Sequence, residues 1–206
     1  MYLIDQNYKT CSVFALDTAA RNGHLDVIQL LHHRLKAPCT TDAMDKAAAN
    51  GHLKILQFLA THRREGCTHW AIDMAARHGH LDVVQYLHSI RALCTINAMN
   101  HAARCGHLDI VQFLHENRSE GCSKHAMDWA AANGHLDIVK FLHFNRSEGC
   151  TTQAMMDDAA TFGHFETVRF LHLHRKEGCT KAAMDYAAIS RLLSFSTRIE
   201  RKGATL

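Results

Sequence analysis

A glycine–histidine pair returns along this chain at Gly23, Gly51, Gly79, Gly106, Gly134 and Gly163, in steps of 28, 28, 27, 28 and 29 residues. Cysteines keep the same interval, at Cys11, Cys39, Cys67, Cys94, Cys122, Cys150 and Cys179. Of the 11 glycines, six open these pairs and four more (Gly66, Gly121, Gly149, Gly178) stand directly before a column cysteine. Two registers locked together over most of 206 residues mark a tandem array of one small unit. Length alone would suggest one or two ordinary domains, and the period overrides that expectation.

The stretch Cys122–Gly149, CSKHAMDWAAANGHLDIVKFLHFNRSEG, shows the unit most clearly. Ser123 is suited to cap a helix, its hydroxyl accepting from a backbone N–H that has no partner within the helix. Ser or Thr follows every column cysteine: Ser12, Thr40, Thr68, Thr95, Ser123, Thr151 and Thr180. A short helix then carries Met127, Ala130 and Ala131 on one side and stops at Gly134, where a residue without Cβ lets the chain turn. A second helix begins near Leu136, and Leu136, Ile138, Val139, Phe141 and Leu142 give it a wide apolar stripe of helical period. Asp137 in its first turn and Arg146 near its end match the helix dipole.

Two short antiparallel helices cannot bury their own apolar face; stacking copies side by side does so, and yields an all-α solenoid. Alanine pairs, from Ala19 and Ala20 to Ala187 and Ala188, suit close approach of neighbouring helices. The units run 11–38, 39–66, 67–93, 94–121, 122–149 and 150–178, with partial units at 1–10 and 179–190. Tyr2, Leu3 and Ile4 align with Phe113, Leu114 and His115, so the chain is expected to begin inside the second helix of an earlier unit. Arg191 stands where glycine is due, and 191–206 form either a capping segment or an unrelated tail.

The string A-A-x-x-G-H-L-[DEK]-[IV]-[IVL]-x-[FLY]-L, seen as AARNGHLDVIQLL from Ala19, AARHGHLDVVQYL from Ala75 and AARCGHLDIVQFL from Ala102, resembles the ankyrin repeat. The resemblance covers roughly residues 11 to 190. Two features depart from the family pattern. The usual T-P-L-H opening is replaced by A-M-[DN], as at Ala43-Met44-Asp45, and the period is about five residues shorter than the usual ~33. The missing residues fall between the second helix and the next cysteine, so the β-hairpin fingers of the family are expected to be trimmed or absent.

Composition narrows the function. Lys and Arg number 23 against 20 Asp and Glu, a formal charge of +3, too balanced for a polybasic nucleic-acid tail. No apolar run approaches the ~18 residues of a membrane span. The start MYLIDQNYKT carries no secretory signal pattern. Equivalent positions of stacked helix pairs lie about 8–10 Å apart, beyond the ~7 Å Cα separation a disulfide tolerates. The cysteine column is therefore expected to hold free, partly buried thiols, which favours an intracellular, reducing compartment. Cys105, off the column, is the expected exposed thiol.

Eighteen histidines raise the question of metal. Most fall in two columns: those of the Gly-His pairs, and His32, His88, His115, His143 and His172 near the end of the second helix. Within a column the repeat spacing is too wide to share a zinc with bonds of about 2.0 Å, so no metal and no cofactor is expected. The pair histidines are expected to bond loop carbonyls and brace one unit on the next. Arg34, Arg63, Arg91, Arg118, Arg146 and Arg175 form a further column, with Glu65, Glu120, Glu148 and Glu177 following by two residues. Those glutamates point to local ion pairs rather than a nucleic-acid stripe. Asp17, Asp45, Asp73, Asp128, Asp157 and Asp185 recur with the unit, whereas a catalytic acid occurs once at a unique place. With no G-x-S-x-G, Walker loop, dinucleotide fingerprint or HExxH, no catalytic residue is assigned and no enzyme is expected.

Positions that differ between copies are those the scaffold leaves free. They cluster on the first helix and its ends: the residue before each Ala-Ala pair, the two after it, and the two after the Ser/Thr cap. The resemblance implies that this side lines a concave groove where a partner protein sits. Trp70, Met74, His101, Trp129 and Phe162 would then supply aromatic and soft anchors, with Arg77, His78 and Arg104 among them. Alternatively Met74, Trp129 and Tyr186 merely cover the seam between units. The expected function is non-enzymatic protein binding, by a monomer or a part of a longer array. The alternatives are a targeting or substrate-recruiting segment of a larger multidomain protein whose catalytic part lies outside this chain, and a relic of repeat expansion with no dedicated partner.

Overall fold

In a computed structural model, residues 12–150 and 152–174 are described. The expectations for the partial units at either end, for Cys11 and Cys179, and for residues 191–206 lie outside them. Six helix pairs follow one another: α1 (Val13–Arg21) and α2 (Leu25–His33), α3 (Asp42–Ala49) and α4 (Leu53–His62), α5 (Trp70–His78) and α6 (Leu81–Ser89), α7 (Ile96–Cys105) and α8 (Leu108–Asn117), α9 (Lys124–Ala132) and α10 (Leu136–Asn145), α11 (Thr152–Thr161) and α12 (Phe165–His174). Among the described residues there is no strand, so the connections between pairs are loops without hairpin fingers.

The helices start where the hydroxyl caps were expected. Ser12, Thr95 and Ser123 sit in extended backbone and accept from the N–H groups of Phe14, Asn97 and His125. Thr40 and Thr68 accept likewise from Asp42 and Trp70, at 3.1 and 3.2 Å, although one turn residue intervenes before the regular helix. The first helices end in left-handed glycines, with φ of 82° at Gly79 and 86° at Gly106. The next N–H reaches back five residues, as from His80 to the Ala75 carbonyl at 3.0 Å, closing the 6→1 bond of a Schellman turn.

The first helices are alanine-rich because they must lie close together. Ala47, Ala48, Ala75, Ala76, Ala102, Ala103, Ala130 and Ala131 are fully buried between successive first helices. Each second helix instead buries a branched stripe: Ile55, Leu56 and Leu59 in α4, Val83, Val84 and Leu87 in α6, Ile110, Val111 and Leu114 in α8. Successive first helices pack far more intimately than successive second helices do. Small side chains on one row and large ones on the other produce that difference.

Three polar ladders stitch the units. Of the recurrent aspartates, Asp17, Asp45, Asp73 and Asp128 are buried. Asp17 accepts from the Thr40 N–H at 3.0 Å and its hydroxyl at 2.8 Å; Asp45 does the same with Thr68, and Asp73 with Thr95. Asn100 takes the place of aspartate in the fourth unit, its Oδ1 accepting from the Ser123 N–H at 2.9 Å and its Nδ2 donating to the hydroxyl at 3.0 Å.

The pair histidines brace neighbours as the spacing suggested. His52, His107 and His135 place Nε2 3.1 Å from the carbonyls of Arg21, Arg77 and Arg104 in the preceding unit. An oxygen can only accept, so Nε2 carries the proton. Each of these carbonyls lies in the last turn of a first helix, where the backbone has no further helical donor. The imidazole also lies against the preceding glycine: a Cβ at Gly79 would fall 2.6 Å from His107 Cε1. Glycine and histidine recur as a pair because the histidine of one unit needs the glycine of the unit before it.

The arginine column divides. Arg63, Arg118 and Arg146 pair with Glu65, Glu120 and Glu148 two residues on. Arg63 and Arg118 also donate to the carbonyls of Ala37 and Ala92 in the preceding loop. Arg34 and Arg91 precede loops without the glutamate, are exposed, and leave this pattern. At the same end of the array the second-column histidines meet phenylalanines edge to face: His32 with Phe58, His88 with Phe113, His115 with Phe141 and His143 with Phe170, centroids 5.3–5.5 Å apart. The rung fails between the second and third units, where Ala60 and Tyr86 stand.

Candidate partner-binding face

On a first helix, residues four before and three after the one that precedes Ala-Ala share its outward stripe. In α5 this stripe is Trp70, Met74 and Arg77; in α7 it is Asn97, His101 and Arg104; in α9 it is His125, Trp129 and Ala132. The opposite side of each helix is closed by the alanines and by the buried Asp or Asn. The side away from the alanine seam is therefore the set of positions that vary between copies.

Trp70 is 41% exposed and Phe162 66% exposed. Arg77, His78 and Arg104 are exposed, while Met74, His101 and Trp129 are half-buried. His101, Arg104 and Trp129 come together. The imidazole of His101 is parallel to the Trp129 indole, centroids 6.1 Å apart, and the Arg104 guanidinium carbon is 5.4 Å from the indole centroid. His125, one turn before Trp129, adds a second parallel ring at 5.1 Å. His78 has His80 as its ring neighbour, and Trp70 and Phe162 stand apart from the cluster. Met74 and Trp129 are each half-buried.

His125 shares a variable column with Phe14, Asp42, Trp70 and Asn97 but was not among the expected anchors. Its i, i+4 spacing to Trp129 was the available signal. Burial, reinforced by Arg77 and then opposed by Asp73, holds the His101 imidazole below its ordinary pKa. The ring is neutral at pH 7, and its buried Nδ1 has no hydrogen-bond partner.

The cysteines are quiet. Burial lifts the thiols of Cys67, Cys94 and Cys122 to about 11, while Cys105 is exposed. Among the described residues, no three His, Cys, Asp or Glu side chains converge as a metal would require. No described helix is long and apolar enough to cross a membrane.

Helix pairs stacked through one buried seam, with a variable face along the first helices, define a repeat solenoid of the interaction-module class. The sequence matches the family described as ankyrin repeats (3 copies) over residues 16–92 and 72–154, more than half of its length. The chain belongs to the ankyrin-repeat family, whose members are in general protein–protein interaction modules. No curated protein matches the chain.

Proposed function

We propose that this chain binds a protein partner, without catalysing a reaction, through the outward stripe of α5, α7 and α9. The observation that carries the proposal is the cluster of His101, Arg104, His125 and Trp129. These side chains sit at positions where the other units place unrelated residues, and nothing in the stacking of the scaffold requires an indole there. Aromatic and arginine side chains at the centre of a patch, with adaptable polar neighbours, have the composition of interface anchors. Trp70 and Met74 extend the patch by one unit on one side, and Phe162 marks its far edge. Free thiols repeated along the described array support an intracellular, reducing setting for the interaction.

Affinity capture with the whole chain, compared with Trp70→Ala plus Trp129→Ala, tests the proposal. A partner held in stoichiometric amount by the native chain and lost from the double variant is expected. A partner retained by that variant places the interface elsewhere, for example along the loops that carry Arg34 and Arg91.

A further inference from the structure

The outward stripe changes charge along the array. On α5, α7 and α9 the exposed charged side chains are Arg77, Arg104 and Lys124, all cationic. The carboxylates of these helices, Asp73 and Asp128, are only 3% and 9% exposed. Asp73 spends both oxygens on Thr95, Asp128 lies 4.0 Å from the His125 ring, and α7 carries Asn100 where the others carry an acid. The acids nearest by sequence, Asp82 and Asp109 on α6 and α8, turn onto the first amides of their own helices at 2.9 and 2.8 Å. Exposed acid reappears on the first helices only in the flanking units. There Asp42 is neutralised by Lys46 at 2.6 Å, and Asp158 stands on α11. Arg77 and Arg104 thus share the stripe with Trp70, Met74 and Trp129, Lys124 stands beside it at the start of α9, and these three first helices have no exposed carboxylate of their own.

We infer that the partner segment seated on this stripe is acidic: a short extended stretch of protein in which Asp or Glu residues flank an aromatic or aliphatic anchor. This rests on the protein-binding proposal above and names the class of partner. The stripe cations Arg77 and Arg104 select carboxylates, and they disfavour basic segments by like-charge juxtaposition. The indole and thioether take the apolar anchor. Two helix-to-helix steps of about 8–10 Å span roughly 20 Å, the reach of about six extended residues. A nucleic acid is the less favoured occupant. Phosphate tracking draws on about 6–10 cation contacts, and this stripe has two cations, Arg77 and Arg104, with Met74 and Ala132 among them.

The test uses the whole chain and fluorescence anisotropy with labelled peptides of about twelve residues, rich in Glu and Asp around Phe and Leu. The controls are the same peptides with Gln or Lys in place of the acids, and oligothymidylate. The acidic peptide should bind at least about tenfold more tightly than its Gln counterpart and weaken with salt, and the Lys counterpart should not bind. Arg104→Glu, an exposed change that leaves the fold intact by circular dichroism, should remove most of that advantage, and Trp129→Ala should weaken both the acidic and the Gln peptides. Equal binding of acidic and Gln peptides, still weakened by Trp129→Ala, overturns the acidic class while leaving the face as the binding site. Acidic-peptide binding indifferent to both Arg104→Glu and Trp129→Ala overturns the face itself. Tighter binding of oligothymidylate, or binding of no peptide, also overturns the inference.

Discussion

Asp45 Oδ1 lies 2.8 Å from the Thr68 N–H nitrogen and its Oδ2 2.6 Å from the Thr68 hydroxyl, so one carboxylate holds both donors that open the next unit. The bond crosses the seam between units, and the same hydroxyl goes on to cap α5 through Trp70. Burial nevertheless raises the Asp45 pKa, with the Thr68 bonds opposing that rise. The carboxylate is therefore charged at some cost, accepted because two buried donors need acceptors.

Asp45→Ala should destabilise the array by about 2–4 kcal/mol, since it strands an amide and a hydroxyl in the seam. Asp45→Asn should cost much less, because Asn100 already shows that an amide can serve Ser123 in the same geometry. Urea unfolding of the whole chain, with hydrogen exchange read at residues 68–73, distinguishes the two. Equal losses for Ala and Asn would show that charge, rather than acceptor placement, is what the seam uses.

Two glycines separate backbone strain from packing. Gly66 (φ 70°) has open space where a Cβ would stand, whereas a Cβ at Gly79 (φ 82°) would strike the His107 ring. Gly66→Ala should cost only the left-handed conformation, about 1–2 kcal/mol. Gly79→Ala should cost clearly more, and His107→Ala added to it should recover the difference less the lost bond to the Arg77 carbonyl. Thermal or urea melts of the three variants check this; equal costs at the two glycines would refute the ring contact.

Much of this arrangement was legible in the sequence because the period repeats it. Caps, helix stops, the alanine seam and the Arg–Glu pairs each leave a column of like residues. What the columns hide is which neighbour a residue serves. Asp17 and Thr40 are both periodic, so their spacing alone does not distinguish a bond within a unit from one across the seam. The His–Phe edge contacts escaped for the same reason. The binding face is the inverse case: it is visible only as disagreement between copies, and disagreement locates His125 without saying that it would lie parallel to Trp129.

Acid should loosen the array in two stages. Burial leads the causes that hold His32, His80 and His101 below their ordinary pKa, so the unfolded chain takes up these protons first. Their share of stability is present above about pH 6.5 and is lost as pH falls through the depressed folded values. Glu148 is held low first by its bond to Arg146, and Glu65 and Glu120, against an opposing effect of burial, by backbone amides, the thiols of Cys39 and Cys94 and their arginines, so their share is lost further down, below about pH 4.5. Protonation of Asp45 works in the opposite direction, because its folded pKa is raised. The urea midpoint should therefore fall from pH 7.5 to pH 5 and fall again toward pH 4. His101→Gln should flatten part of the first step, and a midpoint constant between pH 7.5 and 5 would contradict the assignment.

Thiol chemistry should follow burial rather than column membership. The thiolate is the nucleophile, and at about 11 the thiols of Cys67, Cys94 and Cys122 supply almost none at neutral pH. Cys105 is exposed beside Gly106. Brief iodoacetamide labelling of the native chain, read peptide by peptide in a mass spectrometer, should mark Cys105 well before those three, and unfolding in urea should erase the difference. Because Cys105 adjoins Arg104, its modification should also weaken the partner captured through Trp129, whereas Cys105→Ser should bind normally and resist the effect. Native labelling of Cys94 as fast as Cys105 would show that the seam between the third and fourth units opens readily, and that the thiols there are not shielded by stacking.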